Sequence, residues 1–129
     1  MKSEATTRGV QIQAVSQFIP ERSNPDESYY FFGYRIRITN VGNAQPVQLL
    51  SRHWVITDGN GEVQEVRGPG VVGRQPRLTE GDTFEYSSFC PLGTPVGSMQ
   101  GMYKMVGDDG EEFDAVVAPF TLAIPNFLN

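Results

Sequence analysis

The chain has 129 residues, of which 39% are hydrophobic and 19% charged, and its net charge is −5. That is enough polypeptide to bury a core without disulfides or metals, and too apolar to stay disordered. The acidic balance argues against general binding to nucleic acid or an anionic membrane; the lone cysteine, Cys90, cannot close an internal disulfide, and no apolar segment resembles a signal peptide or a membrane span, so a soluble cytoplasmic protein is expected.

Residues 1–7 are polar and are expected to be flexible. Val10, Ile12 and Ala14 then alternate with Gln11 and Gln13, which predicts a strand over 8–19. After the turn signal Ser23-Asn24-Pro25-Asp26, a second strand is predicted over 28–40, where Phe32, Tyr34, Ile36 and Ile38 alternate with Gly33, Arg35 and Arg37. Its start, Tyr29-Tyr30-Phe31-Phe32, is aromatic at both parities. That fits a central strand or one covered by a loop, and it also fits an exposed aromatic patch that docks a partner or a second copy.

Further strands are predicted over 46–57, with Trp54 and Ile56 on one parity, and over 62–66, beyond Asp58-Gly59-Asn60-Gly61. Those over 82–90, 98–106, 111–117 and 119–124 follow, with turn signals at Pro91 to Gly97 and Gly107 to Gly110. No segment of ten or more residues carries apolar positions at helical spacing free of Gly or Pro. About eight short strands without helices predict one all-β domain over 1–129, an immunoglobulin-like or fibronectin-III-like sandwich of about seven to eight antiparallel strands. A small closed barrel is the alternative.

Between the strands ending at Val66 and starting at Asp82 lies Gly68-Pro69-Gly70-Val71-Val72-Gly73, a full G-x-G-x-x-G. In a dinucleotide-binding fold the glycines lead into a helix whose amino end holds the pyrophosphate. Here Pro76 and Gly81 break any such helix, and the next segment reads as strand. An anion is still conceivable in a nest of backbone amides. Arg67, Arg74 and Arg77, together with Gly68, Gly70, Val71, Val72 and Gly73, are therefore the candidate anion-binding residues, for a phosphate-containing small molecule. Pro69 removes one amide from that nest. The alternative is a wide β-to-β crossover whose glycines serve chain geometry.

Other chemistry is sparse. His53 is the sole histidine, and its neighbours Ser51 and Asp58 do not by spacing alone make a catalytic set. One His and one Cys fall short of a zinc site. Cys90 is expected to be a small buried residue. Asp108 to Asp114 lacks the spacing of a calcium loop and reads as a solvated hairpin. No catalytic residue, metal ligand or cofactor is assigned.

Two stretches, SRHWVITDGNGEVQEVRGPGVVGRQPRL (Ser51 to Leu78) and FEYSSFCPLGTPVGSMQGMYKMV (Phe84 to Val106), resemble the bacterial ApaG family. So do YYFFGYRIRITNVG (Tyr29 to Gly42) and FTLAIPNFL (Phe120 to Leu128). The resemblance implies the same sandwich and brings no catalytic residues. Similar domains are appended to some eukaryotic F-box proteins and to a DNA-polymerase-delta-interacting protein, which implies an interaction module with an unidentified protein partner. The family is named from genetic linkage to diadenosine-tetraphosphate hydrolase and is labelled as affecting cobalt and magnesium efflux, which are associations and not a mechanism. Positions 69 and 74 are often acidic in the family; Pro69 and Arg74 here make the three-arginine cluster a feature of this chain. The expected function is thus a non-enzymatic binding module, with sensing of a phosphorylated ligand at the loop and self-association both compatible. The rival is a nucleotide enzyme using the loop with His53 or an acidic neighbour.

Overall fold

The structure, a computed structural model, describes residues 1–126. Nine strands run in order β1 (Lys2–Thr7), β2 (Val10–Phe18), β3 (Tyr30–Asn40), β4 (Val47–Asp58), β5 (Val63–Pro69), β6 (Arg77–Leu78), β7 (Thr83–Leu92), β8 (Val96–Gly107) and β9 (Glu112–Ala123), with two single 3-10 turns at Pro20–Arg22 and Pro25–Glu27. They form two antiparallel sheets packed as a sandwich. One has the order β1-β2-β3-β7; the other has β5-β4-β8-β9, with β6 also paired to β4.

The period-two rows become the core. Ile12, Phe32, Ile36 and Ile38 from one sheet meet Leu49, Trp54, Met99, Tyr103 and Leu122 from the other, all buried. Trp54 sits at the centre, edge-on to Tyr34, Tyr103 and Phe120 with ring centroids 5.5, 6.0 and 6.1 Å apart, a geometry aromatic rings prefer. The hydroxyls of Tyr86 and Tyr103 hydrogen-bond each other between the sheets, and burial pushes both phenols well above their ordinary range.

Three expectations need correction. Residues 2–7 are not a loose start. They pair with β2 from Lys2↔Val15 to Thr7↔Val10, across a two-residue turn in which Arg8 and Gly9 both have positive φ. The half-buried row of β1 is Ser3, Ala5 and Thr7, and its work is polar. Ser3 Oγ donates to Ala118 O at 2.8 Å and Val116 N donates to Thr7 Oγ1 at 3.2 Å, while Ser16 Oγ of β2 donates to Thr121 O at 2.6 Å. These bonds stitch β9 to the opposite sheet. Second, 111–117 and 119–124 form one strand, because Pro119 falls at the β-bulge between Met99 and Gly101 of β8, where no ladder donor is required. Third, β6 is an additional short strand.

The sheets end in β1 and β7 and in β5/β6 and β9, and of these edges β5 and β7 each carry an outward proline. Asp58 donates to Glu62 O and Gly70 to Leu50 O, so the alternating ladder leaves Val63, Glu65, Arg67 and Pro69 facing outward from β5. By the same alternation, set by Asn40 N to Asp82 O, Pro91 faces outward from β7. A proline at each site withholds a donor from any strand that would add there.

Candidate functional site

The glycine loop is an excursion from a single edge strand. β5 pairs with β4 down to Ser51↔Pro69, and β6 resumes at Gln48↔Arg77. Residues 70–76 therefore bulge out opposite residues 49 and 50 alone. Val71 and Arg74 exchange backbone hydrogen bonds of 2.8 and 2.9 Å. Val72 and Gly73 between them have φ of 43° and 79°, the signature of a tight type I′ turn.

The base of the loop is strapped down. Gly70 N donates to Leu50 O at 2.8 Å and Leu49 N to Pro76 O at 3.0 Å. Gln75 Nε2 donates to Leu50 O at 2.9 Å, and Gln48 Nε2 to Gln75 O at 3.1 Å. One Arg52 nitrogen donates to both Pro69 O and Gly70 O, at 3.0 Å each. Val71 is fully buried in the core, whereas Val72 at the tip is 58% exposed.

These contacts explain the glycine spelling without a ligand. A Cβ on Gly68 would lie 2.9 Å from the Arg52 guanidinium. At Gly70, φ is +61° and a Cβ would lie 2.3 Å from Arg74 O. The motif serves a close approach and a left-handed backbone. The amides of Gly70, Val71 and Arg74 point at the protein's own carbonyls, and Pro69 has none.

The three arginines divide between two surface depressions. Arg67 lines one of about 540 Å³ with His53, Met102 and Lys104 on the outer face of the five-stranded sheet. Arg74 and Arg77 line another, of about 570 Å³, with Asp82 and Thr83. One Arg77 nitrogen donates to both carboxylate oxygens of Asp108, at 2.9 and 3.1 Å, and Arg67 lies 3.7 Å from Glu65.

His53 faces outward, its Nε2 2.8 Å from Glu65 Oε1. That bond, and then the Arg67 charge, hold the Glu65 carboxyl below its ordinary range. Neither Ser51 nor Asp58 joins the pair; Asp58 instead accepts from the Asn60 and Glu62 amides. Cys90 is buried and its thiol is pushed up to about 11 by desolvation. The acidic hairpin is spent on its own neighbours: Asp108 on Arg77, Glu111 on Arg8, Asp114 on Lys104. Among the described residues no three His, Cys, Asp or Glu side chains gather to hold a metal ion, and no helix is long and apolar enough to cross a membrane.

Arg52 is the residue that sequence reasoning passed over. It stands two positions before Trp54, on the core-facing parity of β4. A guanidinium at an inward position was the available signal, because such a charge must find hydrogen-bond acceptors.

Comparison with known proteins agrees with this architecture. The family described as the ApaG domain matches residues 20–107. Protein ApaG of Anaeromyxobacter dehalogenans strain 2CP-C is 54% identical over 127 residues, 98% of this chain and 99% of the relative. Protein ApaG of Bordetella pertussis is 51% identical over 118 residues, 92% of this chain and 89% of its own. The crystal structure of the ApaA protein from Bordetella pertussis superposes with a TM-score of 0.88 at 50% identity, over 91% of this chain and 94% of that one. The resemblance noted from Phe120 to Leu128 runs past the described residues at Phe127 and Leu128. With a family match over most of its length and relatives identical at half their positions, the chain belongs to the ApaG family.

Proposed function

We propose that the domain is a non-enzymatic, cytosolic binding module that docks a protein partner on preformed surface features. The observation that carries this reading is the state of the glycine loop. Its base is held by the Arg52 guanidinium and the Gln75 and Gln48 amides, its Val71 is anchored in the core, and its tip presents Val72 to solvent, with Arg74, also exposed, two positions on. A rigid tip with one apolar and one cationic side chain suits a protein contact, because little ordering entropy is lost on docking. A cradle for a small anion would instead need free, convergent amides. In this reading any link to cobalt or magnesium homeostasis is indirect.

The test is photo-crosslinking in cells, with p-benzoylphenylalanine placed at position 72 and, as a control, at position 60 on the β4–β5 turn. A discrete adduct formed from position 72 and missing from position 60 is expected. Identical patterns from the two positions would remove the loop as a docking tip.

A phosphorylated small molecule is the second reading, favoured by Arg74 and Arg77 lining one depression. It requires Arg77 to leave Asp108. Turnover of diadenosine tetraphosphate by the pure protein, lost in Arg74→Ala, would establish it in place of the binding module. Amide shifts at residues 67–77 that stay unmoved by millimolar nucleotide or pyrophosphate would eliminate it.

A further inference from the structure

The outer face of the four-stranded sheet carries a second, unrelated set of features. The outward positions along β3 are Phe31, Gly33, Arg35 and Arg37. Phe31 is covered: its ring lies 5.2 Å from that of Phe89, and the Arg22 guanidinium stacks 4.5 Å above it. The aromatic run at 29–32 is thus covered in part and exposed in part. Phe32 is core and Phe31 is roofed by the Pro20–Arg22 turn, while Tyr29 and Phe89 stay 42% and 54% exposed.

Beside this cluster the sheet face is recessed. Gly33 contributes no side chain and Ile19 packs over it, 3.0 Å from where a Cβ would stand; Val15, Ile19 and Phe89 are apolar walls of a depression of about 390 Å³ alongside. Through Val15 and Arg35 it continues into a second depression of about 540 Å³, where Lys2, Arg35 and Arg37 face only Glu4 and Glu85. An excess of cations on one face is unusual in a chain of net charge −5. One carboxylate, Glu85, serves both arginines at the long distances of 3.7 and 3.5 Å. Glu4 is occupied with Gln13 Nε2 at 3.0 Å. The two arginine side chains, 61% and 56% exposed, keep donors free for a ligand.

From this we infer that the outer face of β2-β3-β7 binds an extended acidic segment of a partner protein, one apolar side chain packing in the depression between Val15, Ile19 and Phe89 and two carboxylates meeting Arg35 and Arg37. The spacing follows from the strand. Gly33, Arg35 and Arg37 are successive outward positions about 7 Å apart, so an extended peptide matches them with an apolar residue and acidic residues two and four places on. Bidentate carboxylate recognition suits arginine, and Ser87 on the same face offers a hydrogen bond to the peptide main chain. The proposal rests on the binding-module reading but uses the sheet opposite the glycine loop.

The probe is the fluorescein-labelled heptapeptide Ser-Leu-Ser-Asp-Ser-Asp-Ser, titrated into the full chain at low salt by anisotropy and by amide shift mapping. Saturable binding is expected, with shifts at Gly33, Arg35, Ser87 and Phe89. Affinity should fall by about tenfold in Arg35→Glu/Arg37→Glu and at high salt, and also fall in Phe89→Ala or when serine replaces the peptide leucine. The same peptide with lysine at both aspartate positions should prefer the double variant, a reversal that misfolding cannot produce. Absence of saturation at millimolar peptide, shifts confined to residues 67–77, or equal affinity for the variant would overturn the proposal. So would self-association of the chain that Arg35→Glu/Arg37→Glu abolishes, since that assigns the face to a second copy. Peptide binding that fails while position-72 adducts persist removes this face and leaves the module; adducts that vanish while the peptide still binds do the reverse.

Discussion

Replacing Gly70 by alanine separates two reasons for a glycine. A left-handed backbone costs a non-glycine residue about 1–2 kcal/mol. At Gly70 there is a second cost, because the new methyl would lie 2.3 Å from Arg74 O, the acceptor of the Val71 N–H bond at 2.8 Å. Relieving that overlap breaks the bond, worth about 1 kcal/mol, and draws on the anchoring of Val71, whose full burial is worth about 1.5–3 kcal/mol. The total expected for Gly70→Ala is about 2–4 kcal/mol, in the range of strained-backbone substitutions. Gly73 has φ of +79° with nothing within 4 Å of a built Cβ, so Gly73→Ala should cost the backbone component alone. Urea unfolding measures both: at a slope of about 1–3 kcal/mol per molar, Gly70→Ala should lower the midpoint distinctly further than Gly73→Ala. Amide exchange at Val71 and Arg74 should accelerate in the Gly70 variant before the core amides do. Equal midpoints for the two variants, with unchanged exchange at Val71, would refute the close-approach reasoning.

Arg52→Met should destabilise the chain by about 2–3 kcal/mol through loss of charged hydrogen bonds to Pro69 O and Gly70 O. In that background Gly68→Ala should become nearly neutral in urea unfolding, since the guanidinium it would strike is gone; additive costs would contradict the contact. Glu65 and Asp82 have lowered carboxyl pKa values, Glu65 through His53 and Asp82 through the Thr79 hydroxyl and amide. Their stabilisation is therefore complete above the ordinary carboxylate range and is lost as pH falls through the lowered values; carboxyl NMR titration should show Glu65 moving up in His53→Ala and Asp82 moving up in Thr79→Val. Cys90, buried with its thiol raised to about 11, should react with iodoacetamide at pH 8 only as fast as the chain opens, so its rate should rise in step with every destabilising variant above.

The residue order alone determined that this chain is built of half-buried strands, because Ile36, Ile38 and Tyr86 alternate with polar neighbours; that the strands form two sheets of a sandwich and not a closed barrel was decided by their pairing. It also denied the glycine loop a following helix, since Pro76 and Gly81 forbid one. β1 stayed illegible: its inward row, Ser3, Ala5 and Thr7, bonds to β9 through hydroxyls and carries no hydrophobic signal. The dispersal of Arg67, Arg74 and Arg77 was equally hidden, as it depends on where an inserted bulge re-enters the β4 ladder. Only the tertiary structure decided that Phe89 stands against Gly33, fifty-six positions earlier, and that Arg52 turns inward to clasp the loop. Contacts of that kind arise from strand register, and register is chosen by the packing of a whole face at once, not by any local run of residues.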